Sequence, residues 1–220
     1  MTSPAHRLAG LAILAVAAVA AALLVAGPRA EKHAQVHAGV PLLRGIPQDG
    51  IALGDPNAPV TMVEFADLQC PWCREYAENA LPDIVRRYVR TGKVRLELRL
   101  LRFLGPDSDR LARTAAGASE QDHMWQFAAL AYARQGRENS GYADREFMNA
   151  LVRDAGLRTV DAGPRAEQIV ADAEEQARRA GVKSTPSFLI GPTGDRLEAF
   201  QSESLTPEPF ARRIEHELGR

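Results

Sequence analysis

The two cysteines of the chain, Cys70 and Cys73, are the side chains best suited to chemistry. They stand three positions apart in the run CPWC, with Pro71 and Trp72 between them, and they are the only cysteines in the 220 residues. A thiolate can attack a disulfide, bind a soft metal ion or be locked into a structural crosslink. The pair therefore predicts disulfide exchange, metal binding or covalent stapling, and the surrounding sequence must decide among the three.

Stapling and metal binding both fit the sequence poorly. A disulfide across so short a loop removes little entropy from the unfolded chain. Structural zinc needs four ligands, but there is no second cysteine pair; His33 and His37 have no further ligand near them, and His123 and His216 stand alone. We therefore expect a redox-active disulfide with no metal and no organic cofactor. Cu(I) binding by the thiolates is the alternative.

The segments on either side of the pair predict a strand followed by a helix. Residues 60–66, VTMVEFA, are β-branched and apolar enough for a buried strand. Good helix formers follow from 70 to about 90, with a kink expected at Pro82 and an end at Gly92. This order of elements places the cysteine pair at the junction of the strand and the helix.

At that junction the helix itself favours a thiolate. Pro71 suits the first helical position, because its missing N–H needs no partner there. Cys70 would then lie at the N-terminus, where the helix dipole and the unpaired N–H groups stabilise negative charge on sulfur. We expect Cys70 to be exposed to a partner, with Cys73 beneath it.

Glu64 is the one charged residue within the predicted strand, and it precedes Cys70 by six positions. Two interpretations are open. A carboxyl partly buried beneath Cys73 would have a raised pKa, whereas a carboxylate at the strand end would face water. We favour the buried position.

The rest of the chain predicts two further groups of elements. Residues 94–100 alternate apolar and charged side chains, as in a strand, and strand–helix–strand order predicts a right-handed parallel unit. From 109 to 181 the apolar spacing predicts three to five helices. Two short strands, 187–190 and 196–200, and a final helix capped by Thr206 complete the chain.

The N-terminus carries an export or anchoring segment. Residues 8–26, LAGLAILAVAAVAAALLVA, contain no charged side chain and would span roughly 28 Å as a helix, close to the apolar thickness of a bilayer. We assign 1–27 to a signal anchor or signal peptide and favour the anchor, because Pro28 follows the small residues at the candidate cleavage site. Residues 28–44 are predicted to be a linker.

The overall charge argues against one class of partner. The formal net charge is −1, with 25% charged and 45% hydrophobic residues. A nucleic-acid-binding protein would normally carry a basic face. We therefore expect no nucleic-acid partner.

Two motifs together resemble a known family. The run LGDPNAPVTMVEF at 53–65, followed by CPWC, and the run GVKSTPSFLI at 181–190 are similar to those of DsbA-like thiol–disulfide oxidoreductases of the thioredoxin superfamily, especially the membrane-anchored bacterial type. The resemblance covers roughly 45–218. It implies an α/β thioredoxin fold with a central mixed β-sheet, preceded here by the N-terminal transmembrane or signal helix.

The resemblance also implies how the chain is divided. The first part of the thioredoxin fold would occupy 45–106 and the second part 182–220. Between them, residues 107–181 would form an inserted helical domain.

Roles for individual residues follow from the same resemblance. Cys70 would be the nucleophile and Cys73 the resolving thiol. Pro186 would carry a cis peptide bond facing the cysteines, and Thr185 would offer its backbone to an extended substrate segment. Glu64 would help to move the proton of the resolving thiol.

Pro71 and Trp72 are implied to tune the redox potential and to contribute to the substrate-binding surface. Strongly oxidising relatives often have histidine in place of Trp72, and its positive character stabilises the thiolate.

We predict an extracytoplasmic oxidase, in the periplasm or at the cell surface, that acts on exported client proteins with free thiols. A quinone-linked membrane oxidase of the DsbB or VKOR kind is the implied recycling partner. A reductase or isomerase, or a non-catalytic module that binds metal or clients, are the alternatives.

Overall fold

The computed structural model describes residues 39–220, which pack as one unit. The predicted N-terminal anchor, most of the predicted linker, and His33 and His37 lie outside the described residues. Within 39–220, no helix is both long and apolar enough to cross a bilayer.

The first described element is a short helix, α1, at Gly39–Leu43. It occupies the end of the segment predicted to be a linker, so this stretch is helical instead. Leu43 is buried in the main core, and Arg90 donates hydrogen bonds to the carbonyls of Leu42 and Arg44, at 2.5 and 3.0 Å. Burial and these bonds at the helix end stabilise a helix too short to form alone.

A mixed sheet forms the centre of the described unit, with its strands in the order β1-β2-β4-β3-β5-β6. β3 and β4 are parallel, as predicted, and the other neighbours are antiparallel. The strands are β1 Gln48–Asp49, β2 Ala52–Leu53, β3 Val60–Ala66, β4 Val94–Leu100, β5 Ser187–Pro192 and β6 Glu198–Phe200. β1 and β2 were not predicted, because strands of two residues are too short to show a period.

The central strand β3 is buried along its whole length and divides the core. Met62 and Ala66 belong to the large core on one face, whereas Val63 and Phe65 belong to a smaller core on the other. Since side chains alternate along a strand, Glu64 points to the same face as Met62. That face also receives the helix that follows the cysteines.

The segment after β3 is broken rather than kinked. Helix α2 spans Pro71–Glu78, helix α3 spans Ala80–Ile84, and a π-helical turn covers Val85–Val89. The prediction of a single helix bent at Pro82 is therefore wrong, since the chain departs from regular geometry at Asn79, with φ −108° and ψ −67°. A proline has no N–H to bond the carbonyl four residues earlier, and its ring clashes with that carbonyl. The helix is therefore interrupted in the turn before the proline.

Four helices lie between β4 and β5. They are α4 Pro106–Ser119, α5 Met124–Ala133, α6 Arg145–Asp154 and α7 Pro164–Arg179. Ala173 and Ala177 of α7 pack on the smaller core of the sheet. Arg102, just after β4, joins this helix to the sheet through hydrogen bonds to Glu167 and Glu174 at 2.8–3.1 Å.

The last helix, α8 at Pro207–Leu218, closes the large core. Thr206 occupies its cap position, but its side chain makes no capping hydrogen bond. Phe210 contacts Tyr76 of α2 and Phe188 of β5, with ring centroids 5.1 and 5.0 Å apart. These aromatic contacts hold α2, which follows the cysteines, against the sheet and α8.

Candidate active site

Cys70 caps the N-terminus of helix α2. Its backbone is extended, with φ −71° and ψ 121°, and Pro71 opens the helix as predicted. The Cys70 carbonyl accepts the first helical hydrogen bond from Arg74 N at 3.2 Å, and the Cys70 N–H donates to the Asp67 carbonyl at 3.0 Å. The turn and the helix start therefore fix both peptide units of the first cysteine.

The first cysteine is less exposed than the sequence predicted. Cys70 is 5% exposed, and Cys73 is completely buried below it. The reason is the segment ahead of β5, which covers the sulfur: in its thiol form, Cys70 Sγ donates to the Thr185 carbonyl at 3.3 Å. Trp72, between the two cysteines, is by contrast 66% exposed.

The two cysteines are unlinked thiols in the structure, and their surroundings treat them differently. Hydrogen bonding from the Cys73 side chain lowers the pKa of Cys70 to about 6, against the opposing effect of burial. The Thr185 side chain and the backbone N–H groups of Cys73 and Trp72 also lower it. These two N–H groups belong to the first turn of α2, so they are the local form of the helix-end effect.

Cys73 shifts in the opposite direction. Burial raises the pKa of its thiol well above the ordinary value, and the hydrogen bond to Cys70 and the charge of Glu64 act the same way. At neutral pH the pair therefore contains one thiolate, on Cys70, and one thiol, on Cys73. Neighbouring groups with separated pKa values are typical of a nucleophile and its proton-bearing partner.

Glu64 lies in the interior rather than at a wet strand end. It is 4% exposed, and Oε1 has no hydrogen-bond partner among the described residues. Burial raises the pKa of Glu64 to about 8, and the negative charge of Cys70 adds to the effect. The water-facing interpretation is therefore wrong, and the carboxyl holds its proton at neutral pH.

Two tyrosines near Glu64 were missed by the sequence analysis. The hydroxyl groups of Tyr76 and Tyr132 are buried and, like Glu64 Oε1, find no partner within the described part of the chain. Burial raises the pKa of both hydroxyls well above the usual value, and the charge of Glu64 contributes. Tyr76 stands three positions after Cys73, a spacing that places both on one helix face. Tyr132 comes from α5, and no sequence signal connects it to the site.

A buried carboxylate organises the turn in front of Cys70. Asp67 accepts hydrogen bonds from the backbone N–H groups of Gln69 and Leu104 at 2.8 and 3.0 Å, and from the Ser108 hydroxyl at 2.7 Å. Burial raises the pKa of Asp67, while these hydrogen bonds oppose that shift. The carboxylate thus joins the turn to the end of β4 and the start of α4.

The side chain of Gln69 extends the same network into the helical segment between β4 and β5. Its Nε2 donates to Ser108 Oγ at 2.9 Å and to Asn139 Oδ1 at 3.2 Å, and its Oε1 accepts from Asn139 N at 2.7 Å. Contacts between positions 39 or 70 residues apart leave no trace in local sequence patterns. These residues therefore could not be predicted from the sequence.

The segment opposite the cysteines carries the other two predicted residues. The Thr185–Pro186 peptide bond is cis, and the Thr185 carbonyl accepts the hydrogen bond from Cys70. The structure thus brings Cys70, Cys73 and Thr185 together, with Glu64 on the inner side.

Replacing Thr185 with valine tests the contribution of its hydroxyl. Since hydrogen bonding from the Thr185 side chain lowers the pKa of Cys70, the Thr185→Val variant is expected to raise that pKa by about one unit. The thiolate absorbance near 240 nm, followed across pH in the reduced protein, measures this change. Thr114→Val, which removes a hydroxyl bonded to the Arg110 carbonyl on α4, is the control and should leave the titration unchanged. An unshifted titration of Thr185→Val would mean that the Thr185 hydroxyl does not lower the pKa of Cys70.

No metal site accompanies the thiols in residues 39–220, where no three His, Cys, Asp or Glu side chains are grouped closely enough to hold an ion. His123 caps α5 and contacts the Gln121 carbonyl, while His216 is exposed near the end of α8.

Comparison with known proteins gives three kinds of match, to a family, to curated relatives and to solved structures. The family described as Thioredoxin matches residues 47–215. A probable disulfide bond formation protein D of Bacillus anthracis is 33% identical over 105 residues, which are 47% of this chain and 48% of that protein. The chain thus spans about half the length of the curated relatives it matches.

Solved structures share the fold. BdbD from Bacillus subtilis, in its oxidised form, superposes with a TM-score of 0.65 at 19% identity, covering 78% of this chain and 94% of that one. Wolbachia pipientis α-DsbA1 gives 0.63 at 21% identity, covering 80% and 92%. The expected thioredoxin fold with a mixed sheet is confirmed. The family match over residues 47–215 shows that the chain belongs to the thioredoxin family.

Proposed function

We propose that the protein catalyses thiol–disulfide exchange on exported proteins and works as an oxidase. The observation that carries this proposal is the separation of the two thiols, with the pKa of Cys70 lowered to about 6 and that of Cys73 raised. A stable thiolate on Cys70 favours the reduced protein relative to the disulfide form, and this makes the disulfide a stronger oxidant. Cys70 is also suited to be a leaving group, because the backbone N–H groups at the start of α2 stabilise the negative charge on its sulfur.

The proposed reaction begins with the Cys70–Cys73 disulfide. A client thiolate attacks Cys70 Sγ, the bond between the two cysteines breaks, and Cys73 leaves with the electron pair. A second client thiolate then attacks the client sulfur of the mixed disulfide, and Cys70 leaves as a thiolate. The client gains one disulfide and loses two electrons, which reduce the enzyme to its dithiol form.

Glu64 is the proposed proton carrier for the buried cysteine. When Cys73 leaves as a thiolate, it becomes a buried anion, which is costly unless it is neutralised. A carboxyl with a pKa of about 8 still bears a proton at neutral pH, and it lies on the same face of the sheet as α2. Charge coupling between Glu64 and Cys73 supports this transfer.

The client surface is proposed to consist of the segment at Thr185 and Pro186 together with Pro71 and Trp72. An extended client segment would lie along the backbone at Thr185, in the manner of an added strand. The 66% exposed indole of Trp72 offers an apolar contact beside the sulfur.

The setting is proposed from the apolar run 8–26, which would export the chain and anchor it outside the cytoplasm. Recycling by a quinone-linked membrane oxidase of the DsbB or VKOR kind is part of the same proposal, because each turnover leaves two electrons on the enzyme.

The decisive test of the oxidase direction is the reduction potential, measured in glutathione buffers. We expect a reduction potential well above the roughly −270 mV typical of thioredoxin. Reduced, unfolded ribonuclease should also regain activity faster in the presence of the protein than in its absence. A potential in the thioredoxin range would overturn the oxidase direction in favour of the reductase alternative.

The residue between the cysteines offers a second test of thiolate stabilisation. Trp72→His would place a partly positive ring beside Cys70, so we expect the redox equilibrium with glutathione to shift toward the reduced protein by about tenfold near pH 6. Trp72→Phe is the matched control, since it keeps an apolar ring without a charge. Equal shifts in the two variants would mean that bulk, rather than charge, controls the potential.

A further inference from the structure

Gln135 links the helical insertion to the redox motif across 65 residues. It follows helix α5, and its side chain is half-buried. The Nε2 group donates to two carbonyls of the turn ahead of α2, to Leu68 O at 3.0 Å and to Cys70 O at 3.1 Å. One side-chain amide thus bridges the turn that delivers the first cysteine.

The Cys70 carbonyl is the acceptor on which the helix start depends. It takes the first helical hydrogen bond from Arg74 N as well as the bond from Gln135. The direction of this carbonyl sets the plane of the peptide unit that leads into Pro71 and the first turn. Through that turn, it sets where the N–H groups of Trp72 and Cys73 point, and both contribute to the charge balance at the Cys70 sulfur.

The same bond has a direct electrostatic effect. A carbonyl oxygen carries partial negative charge, and this one belongs to the residue that bears the sulfur. An amide N–H placed on it offsets part of that charge, and the effect is larger in a site with little water. Orientation and electrostatics therefore act in the same direction, and both favour negative charge on Cys70.

We propose that Gln135 is a positioning residue for the redox motif: its amide N–H groups fix the peptide units around Cys70 so that the first-turn N–H groups of α2 face the sulfur. The helical insertion then contributes to the reactivity of the cysteine pair as well as covering it. This inference rests on the proposed disulfide exchange at Cys70.

The test is the Gln135→Met variant, which keeps the length and bulk of the side chain but removes its donors. In the reduced protein we expect the thiolate titration of Cys70 to move to higher pH. The equilibrium constant for reduction by glutathione should fall about fivefold, the size expected for loss of the hydrogen bond to the Cys70 carbonyl. Gln121→Met is the control, because Gln121 also donates to a backbone carbonyl, that of Thr159 at 3.0 Å, in the same insertion.

A second variant separates the donor from the shape of the side chain. Gln135→Lys retains N–H donors for the two carbonyls, so its titration and equilibrium constant should stay at the wild-type values or shift toward the thiolate. An unchanged Gln135→Met overturns the proposal, as do equal shifts in Gln135→Met and Gln135→Lys. Should Gln135→Met fail to fold, as judged by circular dichroism, Gln135→Lys alone decides, and a titration moved to higher pH refutes the role. The wild-type values test the proposed function, whereas the differences between variants test Gln135.

Discussion

Cys70→Ser is expected to lower the rate of disulfide exchange by more than about a thousandfold, to the level of the uncatalysed reaction. Serine keeps the size of the side chain, but its hydroxyl is neither acidic enough to ionise beside the α2 N–H groups nor able to form a mixed disulfide. Removing this one atom therefore removes the nucleophile and the leaving group together. The oxidative refolding of reduced ribonuclease measures the loss.

Cys73→Ser is the matched control, because it removes the other thiol and leaves the nucleophile in place. A thiolate on Cys70 can still attack a disulfide of an oxidised client, so that a mixed disulfide forms and the client's other sulfur leaves as a thiolate. Without the Cys73 thiol to release the client, this covalent adduct should accumulate. Non-reducing electrophoresis detects the adduct. Substantial exchange by Cys70→Ser, or an adduct formed by Cys70→Ser and absent from Cys73→Ser, contradicts the assigned roles.

Glu64→Gln is expected to remove a large loss of stability that the wild type suffers as pH rises. Burial raises the pKa of Glu64 in the folded protein to about 8, from 4.5 for an ordinary glutamate. The folded state therefore holds a proton that the unfolded state has released. The contribution of this proton to the free energy of unfolding is fully present below pH 4.5 and is lost as pH rises through about 8. Glutamine cannot ionise, so the variant lacks this loss.

The measurement is urea or thermal unfolding of the reduced proteins at pH 5 and pH 8. Between these values the free energy of unfolding of the wild type should fall relative to Glu64→Gln by about 4 kcal/mol. For a unit of this size, the gap in melting temperature should widen by about 10 °C. Glu138→Gln, at an exposed glutamate, should follow the wild type. Parallel curves for wild type and Glu64→Gln would mean that the carboxyl is ionised in the folded state.

The features of the site that local patterns encode could be predicted from the sequence. An apolar run marked β3, alternation marked β4, and a proline after the first cysteine marked the start of α2. The sequence left the position of Glu64 open between a buried site and a wet strand end, and the complete burial of β3 decides between them.

The remaining features depend on contacts between distant segments. Asn139 and Gln135 reach the turn before Cys70 from the helical segment between β4 and β5, and neither carries a periodic signal. The low exposure of Cys70 is set by the approach of Thr185, 115 residues further along the chain. Strand pairing and helix packing bring these groups together, so their roles emerge only from the three-dimensional structure.

The break at Asn79 shows a third kind of limit. Pro82 was recognised as a disturbance of the helix, but its effect appears three residues earlier, where the chain can relax. Whether a proline bends a helix or splits it depends on how neighbouring elements hold the two halves. Here Tyr76 of α2 is held by its aromatic contacts, and the irregular residue, Asn79, follows it.

The most direct test of the account is the titration of the two thiols in the reduced protein, followed by thiolate absorbance near 240 nm. We predict a first transition near pH 6 that disappears in Cys70→Ser, and no second transition until well above the ordinary range for a thiol. A single transition near pH 8.5, the value of an unperturbed cysteine, would contradict the claim that the start of α2 holds Cys70 as a thiolate.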